Sequence, residues 1–326
     1  MSRFRVARAA LLAAAVGLAV ALVAPAGVAQ AAGVTKVSTF QKVKCSVFTY
    51  TPQVDWYMPS TTPKGLVWLQ HGFSRTNGNM GDLAKKYAEA GYVAMATTYP
   101  SADIFGCTIQ NLGNNDPFLN NVTKLLGEGG NTGGELHRNF NEARSAAGVS
   151  YSLPQKYILV GHSAGGEMMS YVANRLRTNH AGQFAKVKGL VLLDPVKSMI
   201  NENMTGALTG LKDTGLPIAT ISSPPYTANS DASGTTVLRS VIQRPWVGVQ
   251  LTTGCHCDAE GATTDVLCTL TSGTPQAQNI AALQTLAVNW GNDWATGVTN
   301  PTYYPGGAYY NGLLNAGTIS SLAGAA

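Results

Sequence analysis

Charged side chains are scarce in this chain: 12% of its 326 residues are Asp, Glu, Lys or Arg, whereas 45% are hydrophobic. Positive charge is not gathered into a stripe, and removal of Arg3, Arg5 and Arg8 lowers the formal net charge from +5 to +2. Nucleic-acid binding therefore has no support in the composition. The length and the apolar content suit one large globular domain, and no internal repeat is evident.

Long apolar runs are missing too, except at the amino terminus. There, three arginines precede an apolar stretch over 9–24, and Ala29-Gln30-Ala31 offers a small-x-small cleavage site, with Ala24-Pro25-Ala26 as a competitor. We interpret residues 1–31 as a secretory signal peptide, because the run is short for a bilayer span. We expect a secreted, extracellular protein that has no membrane span once the signal is removed.

Cysteine is rare, and its number is odd. The five residues are Cys45, Cys107, Cys255, Cys257 and Cys268. Export permits disulfides, and an odd count leaves at least one thiol free or paired between chains. We predict a short loop closed by Cys268 with Cys255 or Cys257, and a second bridge between Cys45 and Cys107. The Cys-His-Cys run lacks a second ligand cluster, so we expect neither a metal nor another cofactor.

Short apolar runs alternate with helical patterns along the rest of the chain. We predict strands at 47–50, 54–58, 66–70, 92–97, 157–160, 189–193, 217–221 and 246–251, and helices over 80–90, 118–126, 166–176 and 277–290. This alternation is typical of an α/β protein, with a mostly parallel, doubly wound sheet covered by helices on both faces. We assign the catalytic domain to 32–300 and leave 301–326 as a tail of unknown structure.

The segment Gly161-His162-Ser163-Ala164-Gly165 carries the strongest chemical signal. It joins the predicted strand 157–160 to the predicted helix 166–176. A serine flanked by glycines at a strand-to-helix turn is a nucleophile elbow. The turn is so tight that a Cβ at the glycine positions would collide with the adjacent strand or helix. Ser163 is therefore the predicted nucleophile.

A serine hydroxyl needs a base, and the base needs an orienting acid. His256 follows the last predicted core strand, so its loop opens at the same sheet edge as the elbow. Between Ser163 and His256 the candidate acids are Asp194, Asp213 and Asp231. We favour Asp194, because it ends a strongly apolar strand, and we keep Asp231, which follows the next strand.

The oxyanion formed during attack needs two backbone N–H groups. One should belong to Ala164, the residue after the nucleophile. The other should come from the loop after strand 66–70, where His71-Gly72-Phe73 makes Phe73 the candidate donor.

The chain resembles the α/β-hydrolase superfamily over most of 45–295. Three patches resemble the chlorophyllase-like branch and related secreted esterases and lipases, namely 161–166, 192–196 and 254–258. This resemblance implies a triad of Ser163, Asp194 and His256. The His-Gly-aromatic loop is similar to that of lipases and polyester-cleaving cutinases, which take medium or long acyl groups. In those polyesterases the acid usually follows the next strand, which keeps Asp231 open.

Together these features predict a secreted serine carboxylic-ester hydrolase that acts through an acyl-enzyme and needs no cofactor. Its expected partner is a small-molecule, lipid or polymer ester with a medium or long acyl chain, and we expect a monomer. Segment 198–210, with Met199, Ile200, Met204 and Leu208 at helical spacing, is a candidate acyl-binding element. Two alternatives stay open: an acyltransferase that uses the same serine, and a non-catalytic binding protein of the same fold.

Overall fold

A computed structural model describes residues 33–325, so the predicted signal peptide lies outside the described residues. The strands are Val34–Phe40 (β1), Val43–Cys45 (β2), Phe48–Tyr50 (β3), Gln53–Pro59 (β4), Leu66–Gln70 (β5), Val93–Thr97 (β6), Tyr157–His162 (β7), Val187–Leu193 (β8), Ile218–Ser222 (β9), Gly248–Leu251 (β10) and Ile319–Leu322 (β11). The α-helices are Gly81–Glu89 (α1), Asp116–Gly127 (α2), Glu135–Ala147 (α3), Ala164–Asn179 (α4), Ala181–Phe184 (α5), Met204–Leu211 (α6), Ser233–Val241 (α7), Val266–Ser272 (α8), Ala277–Thr296 (α9) and Ala308–Asn315 (α10). Short 3₁₀ helices cover Asn77–Met80, Thr227–Asn229, His256–Thr263 and Pro301–Tyr303.

Nine of these strands form one sheet in the order β1-β4-β6-β5-β7-β8-β9-β10-β11. The six strands from β6 to β10 in that order run parallel. Strands β4 and β11 run antiparallel to them on the two sides, and β1 pairs antiparallel with β4 at the outer edge. Strands β2 and β3 form a separate hairpin. Because β5, β7, β8, β9 and β10 are parallel, their carboxyl ends meet at one sheet edge, where the predicted site residues follow them.

Helices cover both faces of the sheet, as the alternating sequence pattern predicts. Successive side chains of β5 enter opposite cores: Leu66 and Trp68 join one buried cluster, and Val67 and Leu69 join the other. Helices α2, α3, α4, α6 and α7 supply the first cluster, and α1, α9 and α10 supply the second. The predicted α/β class with a mostly parallel sheet is therefore confirmed.

Two edge strands extend the sheet beyond the sequence prediction. Strand β1 carries mostly exposed side chains and pairs with β4. The segment that we left as a tail of unknown structure contains α10 and β11, and β11 pairs with β10 from Gly248 to Leu251. This segment thus adds strand β11 to the sheet that carries the candidate site.

The structure contains two disulfides, one between segments distant in sequence and one that closes a short loop. Cys45 pairs with Cys107, and Cys257 pairs with Cys268, which confirms the predicted short loop and selects Cys257 over Cys255. Cys255 carries a free thiol. Within residues 33–325, no helix has both the length and the apolar character needed to cross a bilayer.

Candidate active site

Ser163 occupies a strained turn between β7 and α4. Its φ of 55° and ψ of −126° lie outside the region that side chains favour. A Cβ on Gly161 would lie 2.3 Å from the Gly165 carbonyl oxygen, and one on Gly165 would lie 2.5 Å from those of Gln70 and His71. Only glycine fits at these positions, which is the crowding expected of a nucleophile elbow.

Asp194 follows the last residue of β8, the strand beside β7. Its φ of 41° is also positive, and its side chain is buried. The Ser223 backbone N–H donates to Asp194 Oδ1 at 2.9 Å, the Ser223 hydroxyl donates to Oδ2 at 2.5 Å, and Asn229 Nδ2 donates at 3.2 Å. Burial works to raise the pKa of Asp194, but His256 and these donors outweigh it and hold the pKa below its usual value.

His256 opens the 3₁₀ helix that follows β10, and its imidazole points at Asp194. His256 Nδ1 lies 2.6 Å from Asp194 Oδ2, within hydrogen-bond reach. The His256 backbone N–H donates to the Tyr226 hydroxyl at 2.5 Å, and this hydroxyl donates to the Ser272 carbonyl at 2.9 Å. The ring is thus oriented by a carboxylate, and its backbone is tied to the end of α8.

The two rival acids lie elsewhere. Asp231 is exposed and has a φ of 53° in a left-handed turn just after the 3₁₀ helix Thr227–Asn229. Asp213 is exposed in the loop after α6. The structure therefore brings Asp194, rather than either alternative, to His256.

Ser163 and His256 line one cavity of about 450 Å³. Within the described part of the chain, the Ser163 hydroxyl is not hydrogen-bonded to His256. Catalytic hydrogen bonds are commonly loose before the substrate binds, so this geometry is consistent with a base that engages during the reaction. The Asp194 bond to Nδ1 leaves Nε2 as the nitrogen that can accept the serine proton.

The loop after β5 lies directly against the nucleophile. A Cβ on Gly72 would come within 2.6 Å of the Ser163 Cβ. In the described backbone, neither the Phe73 N–H nor the Ala164 N–H donates to a backbone carbonyl outside a helix or strand. Ala164 follows Ser163 directly, and Phe73 follows Gly72, which packs against Ser163, so both predicted oxyanion donors belong to residues next to the nucleophile candidate.

The ring of His162 lies beside the ring of His256. The His162 ring is buried, and its centroid lies 4.5 Å from that of His256. Burial, assisted by the neighbouring His256, lowers the pKa of His162 well below its usual value. The His162 ring therefore forms a neutral part of the cavity wall next to His256.

The cavity wall differs from the sequence prediction. Met204 and Leu208 are buried in the core on α6, and Met199 and Ile200 are exposed in the preceding loop. None of the four lines the cavity. Asn201, with a φ of 48°, interrupts the predicted helix before it reaches Met199. The lining consists instead of Gly72, Phe73, Ser74, Arg75, His162, Ser163, Thr227, Ala228, His256, Glu260, Leu267, Cys268, Thr271 and Ser272.

Sequence reasoning missed the groups that hold Asp194 and His256 in place. Ser223 and Asn229 bind Asp194, and Tyr226 binds the His256 backbone. All three lie in the Pro-, Ser- and Asn-rich loop after β9, which we considered from sequence only because it contains the alternative acid Asp231. A polar loop at the carboxyl end of the strand after Asp194 was the available signal.

Comparison with known proteins adds no identification, since no protein-family model and no curated protein matches the chain.

Proposed function

We propose that this protein is a secreted serine carboxylic-ester hydrolase of the α/β-hydrolase fold. One observation carries the proposal: a buried carboxylate, Asp194, lies 2.6 Å from His256 Nδ1, and His256 shares a cavity with Ser163 at a strained strand-to-helix turn. A nucleophile, a base and an orienting acid in this chain order are typical of serine hydrolases on parallel sheets. The disulfides are compatible with export.

The reaction follows from these positions. His256 Nε2 takes the Ser163 proton as the serine oxygen bonds to the ester carbonyl carbon, and the carbonyl oxygen becomes an oxyanion held by the Phe73 and Ala164 N–H groups. Asp194 stabilises the imidazolium, which then gives its proton to the departing alcohol oxygen. Water next attacks the acyl-serine ester, with His256 again the base, and releases the carboxylic acid and the free serine.

The cavity supports an ester with an acyl or alcohol part of moderate size. Its wall combines apolar side chains, Phe73, Ala228 and Leu267, with hydroxyls from Thr227 and Thr271. Such a mixture suits an apolar chain that enters beside a polar ester group.

The direct test is hydrolysis of p-nitrophenyl esters of rising chain length and of a polyester film, by the unaltered protein and by Ser163→Ala. We expect release of p-nitrophenol only with the unaltered protein. Added acceptor alcohol should leave the free acid as the main product; a dominant new ester would indicate an acyltransferase. No turnover of any ester would support a binding protein.

A further inference from the structure

Arg75 and Glu260 form a buried, two-pronged ion pair beside the cavity. Arg75 Nε donates to Glu260 Oε1 at 2.6 Å, and Arg75 Nη2 donates to Oε2 at 2.6 Å. The exposed fraction is 7% for the arginine side chain and 0% for the glutamate side chain. Both residues line the cavity that holds Ser163 and His256. This planar contact fixes distance and angle together, which a single ammonium contact does not.

The pair joins the two segments that flank the reaction. Arg75 lies two residues after Phe73, on the loop that packs against Ser163. Glu260 lies four residues after His256, in the same 3₁₀ helix. Arg75 Nη2 also lies 3.0 Å from Asp265 Oδ1, and Asp265 caps α8 by accepting from the Cys268 N–H. Arg75 therefore contacts the 3₁₀ helix that begins at His256 near its middle, at Glu260, and again just beyond its end, at Asp265.

Further hydrogen bonds join the chain after β5 to the segment that follows His256. The Thr263 hydroxyl donates to the Asn79 carbonyl at 3.0 Å, and the Ala262 N–H donates to Asp82 Oδ2 at 2.8 Å. Asn79 Nδ2 reaches both Glu260 Oε2 and the Thr263 carbonyl, at 3.4 and 3.3 Å. The chain after β5 is thus joined to the His256 segment along its length, with the ion pair nearest the cavity.

Stability alone does not explain such a pair. Burial raises the pKa of Glu260 although Arg75 opposes the shift, so the carboxylate is held in an unfavourable environment. Well-packed apolar residues of similar volume are often as stable as a buried ion pair or more so. What the ion pair adds is a defined spacing between the loop that contains Phe73 and the 3₁₀ helix that begins at His256.

We propose that Arg75 and Glu260 are positioning residues that hold the Phe73 oxyanion donor and the His256 base at a fixed separation around Ser163. This inference rests on the proposed esterase function. It predicts that the pair acts on the rate of the chemical step and leaves substrate affinity alone.

The test compares Arg75→Lys, Glu260→Gln and the double variant R75Q/E260Q with a matched control, Arg138→Gln. Arg138 makes the same two-pronged contact with Glu135, at 2.9 and 2.6 Å, but on the surface of α3. A single change leaves a buried charge without its partner and can unfold the protein, so the double variant, which removes both charges, is the principal one.

We expect R75Q/E260Q to lose kcat by about 100-fold with KM nearly unchanged, at temperatures well below its melting point, because a shift of about 1 Å at a reacting group costs this much. Arg75→Lys should lose kcat as well, since it keeps the charge without the planar fork. Arg138→Gln should keep kcat. A fall in melting temperature with kcat unchanged, a raised KM with kcat unchanged, or full activity of Arg75→Lys would overturn the proposal.

A second readout does not depend on turnover. Amide hydrogen exchange of peptides covering 72–76 and 256–262 should accelerate in R75Q/E260Q, while exchange in β7 and β8 stays slow. Unchanged exchange in both loop segments would refute the positioning role. Failure of the proposed function would show separately, as an unaltered protein in which Ser163 does not react with a fluorophosphonate.

Discussion

His162 lies beside His256 with the two ring centroids 4.5 Å apart, and within residues 33–325 neither nitrogen of the buried His162 ring has a hydrogen-bond partner. Because the His162 ring makes no hydrogen bond there, we infer that it affects the site only through its shape and its lack of charge. We therefore predict that His162→Phe keeps kcat/KM within about threefold, because replacement of an unbonded ring by an apolar ring leaves no partner unsatisfied. Steady-state kinetics on a p-nitrophenyl ester measures this. A loss of two orders of magnitude would mean that a His162 nitrogen takes part in the reaction.

The acid assignment is tested by two amide substitutions. Asp194→Asn should lower kcat by about 10⁴-fold, since an amide can hold the wrong imidazole tautomer and no longer stabilises the imidazolium. Asp231→Asn is the matched control: Asp231 is exposed, and Asp194 is the carboxylate that contacts His256. The activity of this variant should therefore stay near that of the unaltered protein. The reverse ranking of the two variants would move the acid to the next strand.

The disulfide next to the base should stabilise the fold and the site together. Cys257 and Cys268 are 11 residues apart, and closure of a loop of this size contributes about 3 kcal/mol by the chain-entropy argument. The double variant C257S/C268S should therefore melt at a lower temperature, and it should lose activity below its melting point because Cys257 follows His256 directly.

Cys255→Ser provides the control for that experiment, because Cys255 is unpaired and its removal breaks no bridge. It should keep both the melting temperature and the activity. Equal behaviour of the control and the double variant would show that the bridge does not hold the base.

Acid should destabilise the fold through His71. Its Nδ1 donates to the Gly72 carbonyl at 2.7 Å and its Nε2 accepts from the Tyr99 N–H at 3.1 Å, so the neutral ring satisfies both contacts. Burial lowers the pKa of His71 from 6.5 to about 4. The unfolded chain binds this proton below pH 6.5 and the folded chain does not, so stability falls as the pH drops from 6.5 towards 4.

Protonation of His71 in the unfolded chain lowers the free energy of unfolding by roughly 3 kcal/mol near pH 4. This loss disappears well above pH 6.5, where the ring is neutral in both states. Denaturant unfolding between pH 7.5 and 4.5 measures the slope. His71→Gln should make it shallower because glutamine does not titrate, while buried His162, whose pKa is also lowered, still contributes. The same slope in both proteins would assign acid sensitivity to other groups.

The central part of this fold could be predicted from sequence because its signals are local. Continuous apolar runs mark β5 to β10, and the site residues Ser163, Asp194 and His256 each follow such a run. Strand ends converge at one edge of a parallel sheet, so Ser163 and His256 could be placed together from sequence. The choice of Asp194 over Asp231 needed the structure, which brings Asp194 to His256.

The missed features depend on partners that are distant in sequence. Strand β11 is short and follows a Gly- and Tyr-rich stretch, and its partner β10 lies about 70 residues earlier. Arg75 and Glu260 are 185 residues apart, and neither carries a local pattern that indicates the other. Asn201 breaks the expected acyl-binding helix through a left-handed turn that periodicity does not reveal.

The central claim is that Ser163 is a nucleophile activated by His256 and Asp194. The most direct measurement is intact-mass and peptide analysis after treatment with a fluorophosphonate, which reports nucleophilicity without a known substrate. We predict one adduct per chain, located on Ser163, with no adduct in Ser163→Ala and a strongly slowed reaction in Asp194→Asn. An unmodified protein, or an adduct on another residue that persists in Ser163→Ala, would contradict this account.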